Sequence, residues 1–154
     1  MRMPIFARSA PAWPSAASTP SAWFAGVLGT VVTRFAAAGV ETEIGRTGPT
    51  SAQAEAAGFD VAALVTESTT ASGYMPEAAP VAVKVLADRG TRRLIGTQIV
   101  GGRMAAKRVD IAAVALWTDQ TVDDVAGMDL AYAPPFSPVW DPVQIACRRL
   151  ADRL

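Results

Sequence analysis

The sequence predicts an α+β domain: an antiparallel sheet of about five strands with helices packed on one face. Three observations lead there. β-rich runs separated by Gly, Pro and Asp turns dominate the chain up to about residue 100. Segments with helix-capping residues dominate after it. The order is strands with one short helix, a hairpin, then three helices, which is not the strand–helix–strand repeat of a parallel, doubly wound sheet.

Each element has a local reason. Val27-Leu-Gly-Thr-Val-Val-Thr33 is β-rich and bounded by glycines, so a first strand is placed there. Glu41 to Thr47 alternates and ends in Gly48-Pro49, a second strand followed by a turn. Thr50-Ser-Ala-Gln53 has the capping-box pattern, and the short helix it opens is expected to stop at Gly58. Phe59 to Thr66 reads as a third strand. Val81, Val83 and Val85 alternate with Ala82, Lys84 and Leu86, a period of two. Asp88-Arg-Gly-Thr91 turns the chain, and Leu94 to Val100 returns as the partner strand.

The remaining segments are helical. Ala105 to Trp117 carries its charges, Lys107, Arg108 and Asp110, in its first part, and Ile111 to Trp117 is apolar on every side. Such a helix has to be covered on all faces, by its own sheet and by another subunit. Thr121-Val-Asp-Asp124 caps a short helix ended by Gly127, and Asp141-Pro142 opens the last helix as N-cap and first residue. Arg148, Arg149 and Arg153 near its C-terminus suit the helix dipole.

Composition excludes much. A chain of 154 residues fits one domain with a real core. It has no apolar run of about 18 residues, so no membrane span is expected. A formal net charge of zero gives no electrostatic reason for a nucleic-acid partner or an anionic membrane. The only cysteine, Cys147, excludes an internal disulfide or a two-cysteine redox pair, and is read as a core or interface residue rather than a nucleophile. With no histidine, a Ser-His-Asp triad, a Cys-His pair and a histidine-rich metal site are all excluded, and no metal is expected. Residues 1–23 differ from the rest: up to Ala22 they hold four prolines, Arg2 and Arg8, and no acid. They read as a disordered leader, although a targeting segment has a similar composition. The folded domain is placed at residues 24–154.

One segment carries most of the functional signal. Asp129-Leu-Ala-Tyr-Ala-Pro-Pro-Phe-Ser-Pro-Val-Trp-Asp-Pro142 has four prolines and three aromatics. It is expected to be a stiff, extended loop that holds Tyr132, Phe136 and Trp140 in fixed directions. The segment resembles, nearly residue for residue, the corresponding part of FAD-dependent pyridine nucleotide–disulfide oxidoreductases, in the coenzyme A-disulfide reductase and NADH oxidase branch. The resemblance covers about residues 24–147. It implies the C-terminal dimerisation domain of that family, where this loop reaches across the subunit interface. Pro135-Phe-Ser-Pro138 also fits the P-x-x-P pattern of adaptor-domain ligands, but the interface loop explains those residues better.

The resemblance also implies site residues. Related coenzyme A-disulfide reductases have a Gly-Tyr-x-Pro loop and a Tyr-Ala-Pro-Pro loop, whose tyrosines project into the partner's active site. The matching positions are Tyr74 and Tyr132; Met75 stands where the family commonly has a second tyrosine. A phenol is a neutral donor at pH 7 and can stabilise or protonate a thiolate leaving group, whereas two packed, hydrogen-bonded rings would need no such role. Lys107 and Arg108, at a helix start where relatives are often basic, are candidates for a coenzyme A phosphate, against the plainer reading of a solvated helix end.

Absences limit the activity. No Gly-x-Gly-x-x-Gly occurs, so the chain has no fingerprint for FAD or NAD(P), and no cysteine precedes position 147. FAD and NAD(P)H are implied for the complete family enzyme, with none bound by this chain alone. The expectation is a stand-alone or truncated dimerisation domain, cytoplasmic and not redox-competent alone, with Trp117, Pro134, Pro135, Phe136, Val139 and Trp140 at its interface. Two alternatives stay open. The chain supplies Tyr74 and Tyr132 in trans to an FAD/NAD(P)-binding subunit, or it is a coenzyme A or small-thiol binding module.

Overall fold

The computed structural model describes residues 28–154. The strands are β1 (Val31–Ala37), β2 (Val40–Thr47), β3 (Val61–Thr69), β4 (Pro80–Asp88) and β5 (Leu94–Gly101). They form one sheet in the order β1-β2-β5-β4-β3, with every neighbouring pair antiparallel. The helices are α1 (Ser51–Ala56), α2 (Val109–Trp117), α3 (Val122–Ala126) and α4 (Pro142–Ala151). The expected α+β class, five antiparallel strands and helical layer are all present.

Register decides what each face carries. Thr66, Val83, Ile99 and Gly45 lie in one cross-strand row, and Leu64, Val85, Thr97 and Thr47 in another. Both rows face α2, α3 and α4, because side chains two apart on a strand share a face. There Val83, Val85 and Ile99 pack with Val109, Ala112, Ala115, Val143, Ala146 and Leu150 in the main core. The intervening rows, such as Val65, Lys84, Gln98 and Arg46, face the other way. A second, smaller core of Ala54, Phe59, Leu86 and Ile95 seats α1 on a corner of that other face.

The cap signals work as read. Thr50 accepts from the Gln53 amide at 3.3 Å while Gln53 Oε1 accepts from the Thr50 amide at 2.9 Å. Thr121 and Asp124 repeat the arrangement at 3.1 and 2.9 Å. At α4, Asp141 accepts from the Val143 amide at 2.9 Å. Gly58 takes the left-handed conformation just past α1, with φ of 90°.

Three details depart from the sequence reading. The first strand begins at Val31 instead of Val27, because Gly29 is left-handed (φ 68°) and a tight turn at Ala38-Gly39, with φ of 52° and 80°, fixes the hairpin further along. Val27 itself lies outside the described residues, as does the leader. Phe59 does not open β3; its amide bonds back to the Ala54 carbonyl at 3.1 Å and its ring fills the smaller core. The Ala105–Trp117 helix is divided, with a 3-10 turn at Ala106–Arg108 preceding α2. Among the described residues Val114 and Trp117, on the outer side of α2, are each 59 % exposed, a face the sequence reading left to another subunit.

A close approach holds the start of α2 to the sheet. A Cβ on Gly45 would lie 2.8 Å from the Ala106 carbonyl oxygen and 3.2 Å from Val109 Cβ. The first obstacle is backbone, so it cannot swing aside. Gly45→Ala is therefore expected to destabilise the domain by about 1–3 kcal/mol, the usual scale of overpacking, read by urea denaturation. Cys147 is fully buried in the main core, and burial pushes its thiol up to about 12. The folded thiol thus stays protonated in mild alkali, while the unfolded one ionises near about 8.5. The unfolded state then binds fewer protons, so stability is expected to fall as pH rises above that value. At pH 8, a thiol-labelling reagent should modify Cys147 only as fast as the chain unfolds.

Candidate functional site

Tyr74 sits in the loop between β3 and β4, and Tyr132 in the long loop between α3 and α4. The first loop is closed at its base by the Thr70 amide on the Ala79 carbonyl (2.8 Å) and the Ala79 amide on Thr70 Oγ1 (3.1 Å). The proline-rich loop is not extended throughout, as the sequence suggested. Phe136 and Ser137 donate to the Ala133 carbonyl at 2.8 and 3.1 Å, closing a turn around Pro134-Pro135. Pro134 takes the second turn position, where its fixed φ is favourable. The two loops touch: the Ser72 amide donates to the Pro134 carbonyl at 2.9 Å.

Beneath them lies a residue whose role the sequence reading missed. Arg108 is only 8 % exposed. Its Nε donates to Asp141 Oδ2 at 2.9 Å, an ion pair buried on both sides. Its guanidinium also donates to the carbonyls of Thr70 at 2.5 Å, Phe136 at 2.8 Å and Met104. One side chain therefore holds the base of the Tyr74 loop, the Tyr132 loop, the turn before α2 and the N-cap of α4. Met104 has a φ of 73°, a conformation unfavourable for a side chain with a Cβ, and Arg108 bonds its carbonyl. The Ala106 amide, at the start of the same turn, donates to Glu43 Oε2 at 3.0 Å and ties it to β2.

The neighbouring Lys107 behaves differently. It is exposed and pairs with Asp110 one turn on. The two basic residues read together in the sequence are thus separated, one outside and one inside, and Arg108 is not part of a solvated helix end. Its interior position had a signal in the sequence: Arg108 is spaced i, i+4 and i+8 from the buried Ala112 and Leu116.

Both phenols are open to solvent, Tyr74 at 77 % and Tyr132 at 48 %. The packed, hydrogen-bonded arrangement expected of buried tyrosines is not what the chain shows. The interface candidates are also on the surface: Trp117, Phe136, Val139 and Trp140 are exposed, and Pro134 and Pro135 form the turn between the loops. Trp140 lies under the Arg148 guanidinium, 4.0 Å from the ring centroid, a cation–π contact that fixes the indole against α4. A cavity of about 290 Å³ opens between the loops, lined by Thr70, Glu77, Arg103, Met104, Pro135 and Phe136. It has one cation and one carboxylate at its walls and no phosphate-binding glycine loop.

The described residues hold no dinucleotide-binding unit for FAD or NAD(P). The sheet is wholly antiparallel, so it lacks the strand–turn–helix on which a dinucleotide fingerprint is built. The one cysteine is buried in the core, far from any role as half of a redox pair. Among the described residues no group of His, Cys, Asp and Glu is arranged to hold a metal ion, and no helix is long and apolar enough to cross a membrane.

Comparison with known proteins agrees with this geometry. Residues 36–142 match the pyridine nucleotide-disulphide oxidoreductase dimerisation domain family. The chain is 41 % identical over 127 residues to the NAD(P)H sulfur oxidoreductase (CoA-dependent) of Pyrococcus abyssi, covering 82 % of this chain and 27 % of that protein. It is 42 % identical over the same length to the NAD(P)H coenzyme A polysulfide/persulfide reductase of Pyrococcus horikoshii, with the same coverage. Among solved structures, the NAD-dependent persulfide reductase of A. fulgidus superposes with a TM-score of 0.75 at 32 % identity, over 83 % of this chain and 23 % of that one. The chain spans about a quarter of the length of these relatives. Fold, loops and sequence together establish that the chain belongs to the pyridine nucleotide–disulfide oxidoreductase family, as a dimerisation domain related to the coenzyme A-disulfide and persulfide reductases.

Proposed function

We propose that the chain acts by self-association, and that its dimer is built around the proline-rich loop and the outer side of α2. The observation that carries this reading is the exposure of Phe136 (64 %), Val139 (63 %) and Trp117 (59 %) beside the packed helical layer. Large apolar groups held rigidly at a surface gain the most from being covered, because little conformational freedom is lost when they bind. Aromatic anchors of this kind tend to dominate binding energy. Trp140 is pre-set by its contact with Arg148, so a partner meets it in one orientation.

A second reading rests on the two phenols. We infer that Tyr74 and Tyr132 serve in trans, at an active site completed by an FAD- and NAD(P)-binding oxidoreductase half acting on coenzyme A disulfides, persulfides or related thiols. Both tyrosines are exposed and their loops are bonded together, an arrangement that would let them face one reacting group. Each would donate to the sulfur as negative charge develops on the leaving thiolate. The flavin and nicotinamide, which supply hydride transfer in such enzymes, would be held by the other half. The names of the relatives, which include CoA-dependent sulfur and persulfide reductases, support this choice of substrate class.

Two measurements test these readings. Light scattering across a dilution series should show a dimer, and Trp140→Ala should weaken it by about 2 kcal/mol or more, the hot-spot scale. An unchanged dissociation constant removes Trp140 from the interface. In a complex reconstituted with a separately produced flavin-binding half, Tyr132→Phe should slow coenzyme A disulfide reduction roughly 100-fold, as expected on loss of a proton donor. Equal rates for variant and parent would end the second reading.

A further inference from the structure

We propose that Arg108 is a positioning residue that makes the two tyrosine loops one mechanical unit, so that Tyr74 and Tyr132 shift together or not at all. Its importance for catalysis rests on the trans-active-site reading above; the coupling itself rests only on geometry. Thr70, at the base of the first loop, and Phe136, in the second, present their carbonyls to the same nitrogen, Arg108 Nη2, at 2.5 and 2.8 Å. That atom cannot follow one loop without straining its bond to the other. The remaining donors anchor the guanidinium from behind, Nε on Asp141 and Nη1 on the Met104 carbonyl. The Ser72–Pro134 backbone bond, at 2.9 Å, joins the same two loops further out.

Residue type matters here. A planar guanidinium spreads its five donors in a fixed fork, whereas a lysine ammonium places three donors on one nitrogen. Lysine at position 108 would keep the charge opposite Asp141 without spanning Thr70, Phe136 and Met104 at once. The pair is also shielded from water, so its bonds are not exchanged for solvent as surface contacts are. The consequence is specific: a disturbance made in one loop is felt at the other loop's phenol, through Arg108.

The chain offers a direct readout, because its two tyrosines are one in each loop. The full protein labelled with 3-fluorotyrosine gives two fluorine resonances, assigned with Tyr74→Phe and Tyr132→Phe. Arg108→Lys should move or broaden both resonances. Leu86→Ala, in the smaller core on the other face of the sheet, should lower the melting temperature while leaving both in place. The cross-loop variant is Pro135→Gly, an exposed turn position, and it should move the Tyr74 resonance as well as that of Tyr132. It reads whether the loops are coupled at all without altering the buried pair, and if Arg108→Lys does not fold, Arg108→Gln read by the same two resonances assigns the path through position 108. A Tyr74 resonance unmoved by Pro135→Gly, or both resonances unmoved in a folded Arg108→Lys protein, overturns the proposal. Because the spectra need no partner and no turnover, coupled loops combined with an unimpaired Tyr132→Phe enzyme would leave the positioning role standing and sink only the catalytic reading.

Discussion

The buried Arg108–Asp141 pair is the constraint on which the functional end of this domain depends. Taking two charges out of water is costly, and a buried pair is tolerated only where further hydrogen bonds use the remaining donors and acceptors. Both partners meet that condition. Asp141 divides its carboxylate between Arg108 and the Val143 amide, and Arg108 spends its other donors on three backbone carbonyls. Those carbonyls belong to loops, which have no strand or helix ladder to satisfy them. The pair therefore supplies for two irregular segments what the sheet supplies for itself. It also links layers, since the turn carrying Arg108 is packed on Gly45 and bonded to Glu43, while Asp141 opens α4.

Most of the architecture was legible because the elements are specified locally. The valines of β4 alternate without interruption, and three capping boxes mark helix starts with side chains only three residues apart. Errors fell where long-range contacts override local preference. The first strand was placed too early and Phe35 left out of it because the Ala38-Gly39 turn puts an alanine at positive φ, which composition does not announce. Phe59 has a strand-like profile but is claimed by the cavity between α1 and Leu86. The apolar run Ile111–Trp117 was correctly helical, and Val114 and Trp117 on it stay more than half exposed.

The candidate site rests on a different kind of signal. Tyr74 and Tyr132 carry no local signal that sets them apart from core tyrosines, and only the surrounding Gly-Tyr-Met-Pro and Tyr-Ala-Pro-Pro motifs singled them out. That their loops meet depends on a contact between segments far apart in the chain, Ser72 with Pro134, which no spacing rule encodes. Arg108 shows the converse. Its charge suggested solvent or a phosphate, whereas its helical phase with Ala112 and Leu116 pointed inward. For an arginine next to a helix start, phase was the better guide, because burial is acceptable once four acceptors converge on it.

The strand at the far end of the sheet has a further consequence. Among the described residues β1 has a neighbour on one side only, and all seven of its residues are exposed, Val31, Val32 and Phe35 included. Its free rim carries backbone donors and acceptors in the order that another strand needs, and Arg34 is its single charge. Sheets usually protect such a rim with proline, a bulge, several charges or a covering segment. Here any such protection has to come from outside the described residues, so the rim of β1 is a second place, remote from the tyrosines, where the domain can meet another chain.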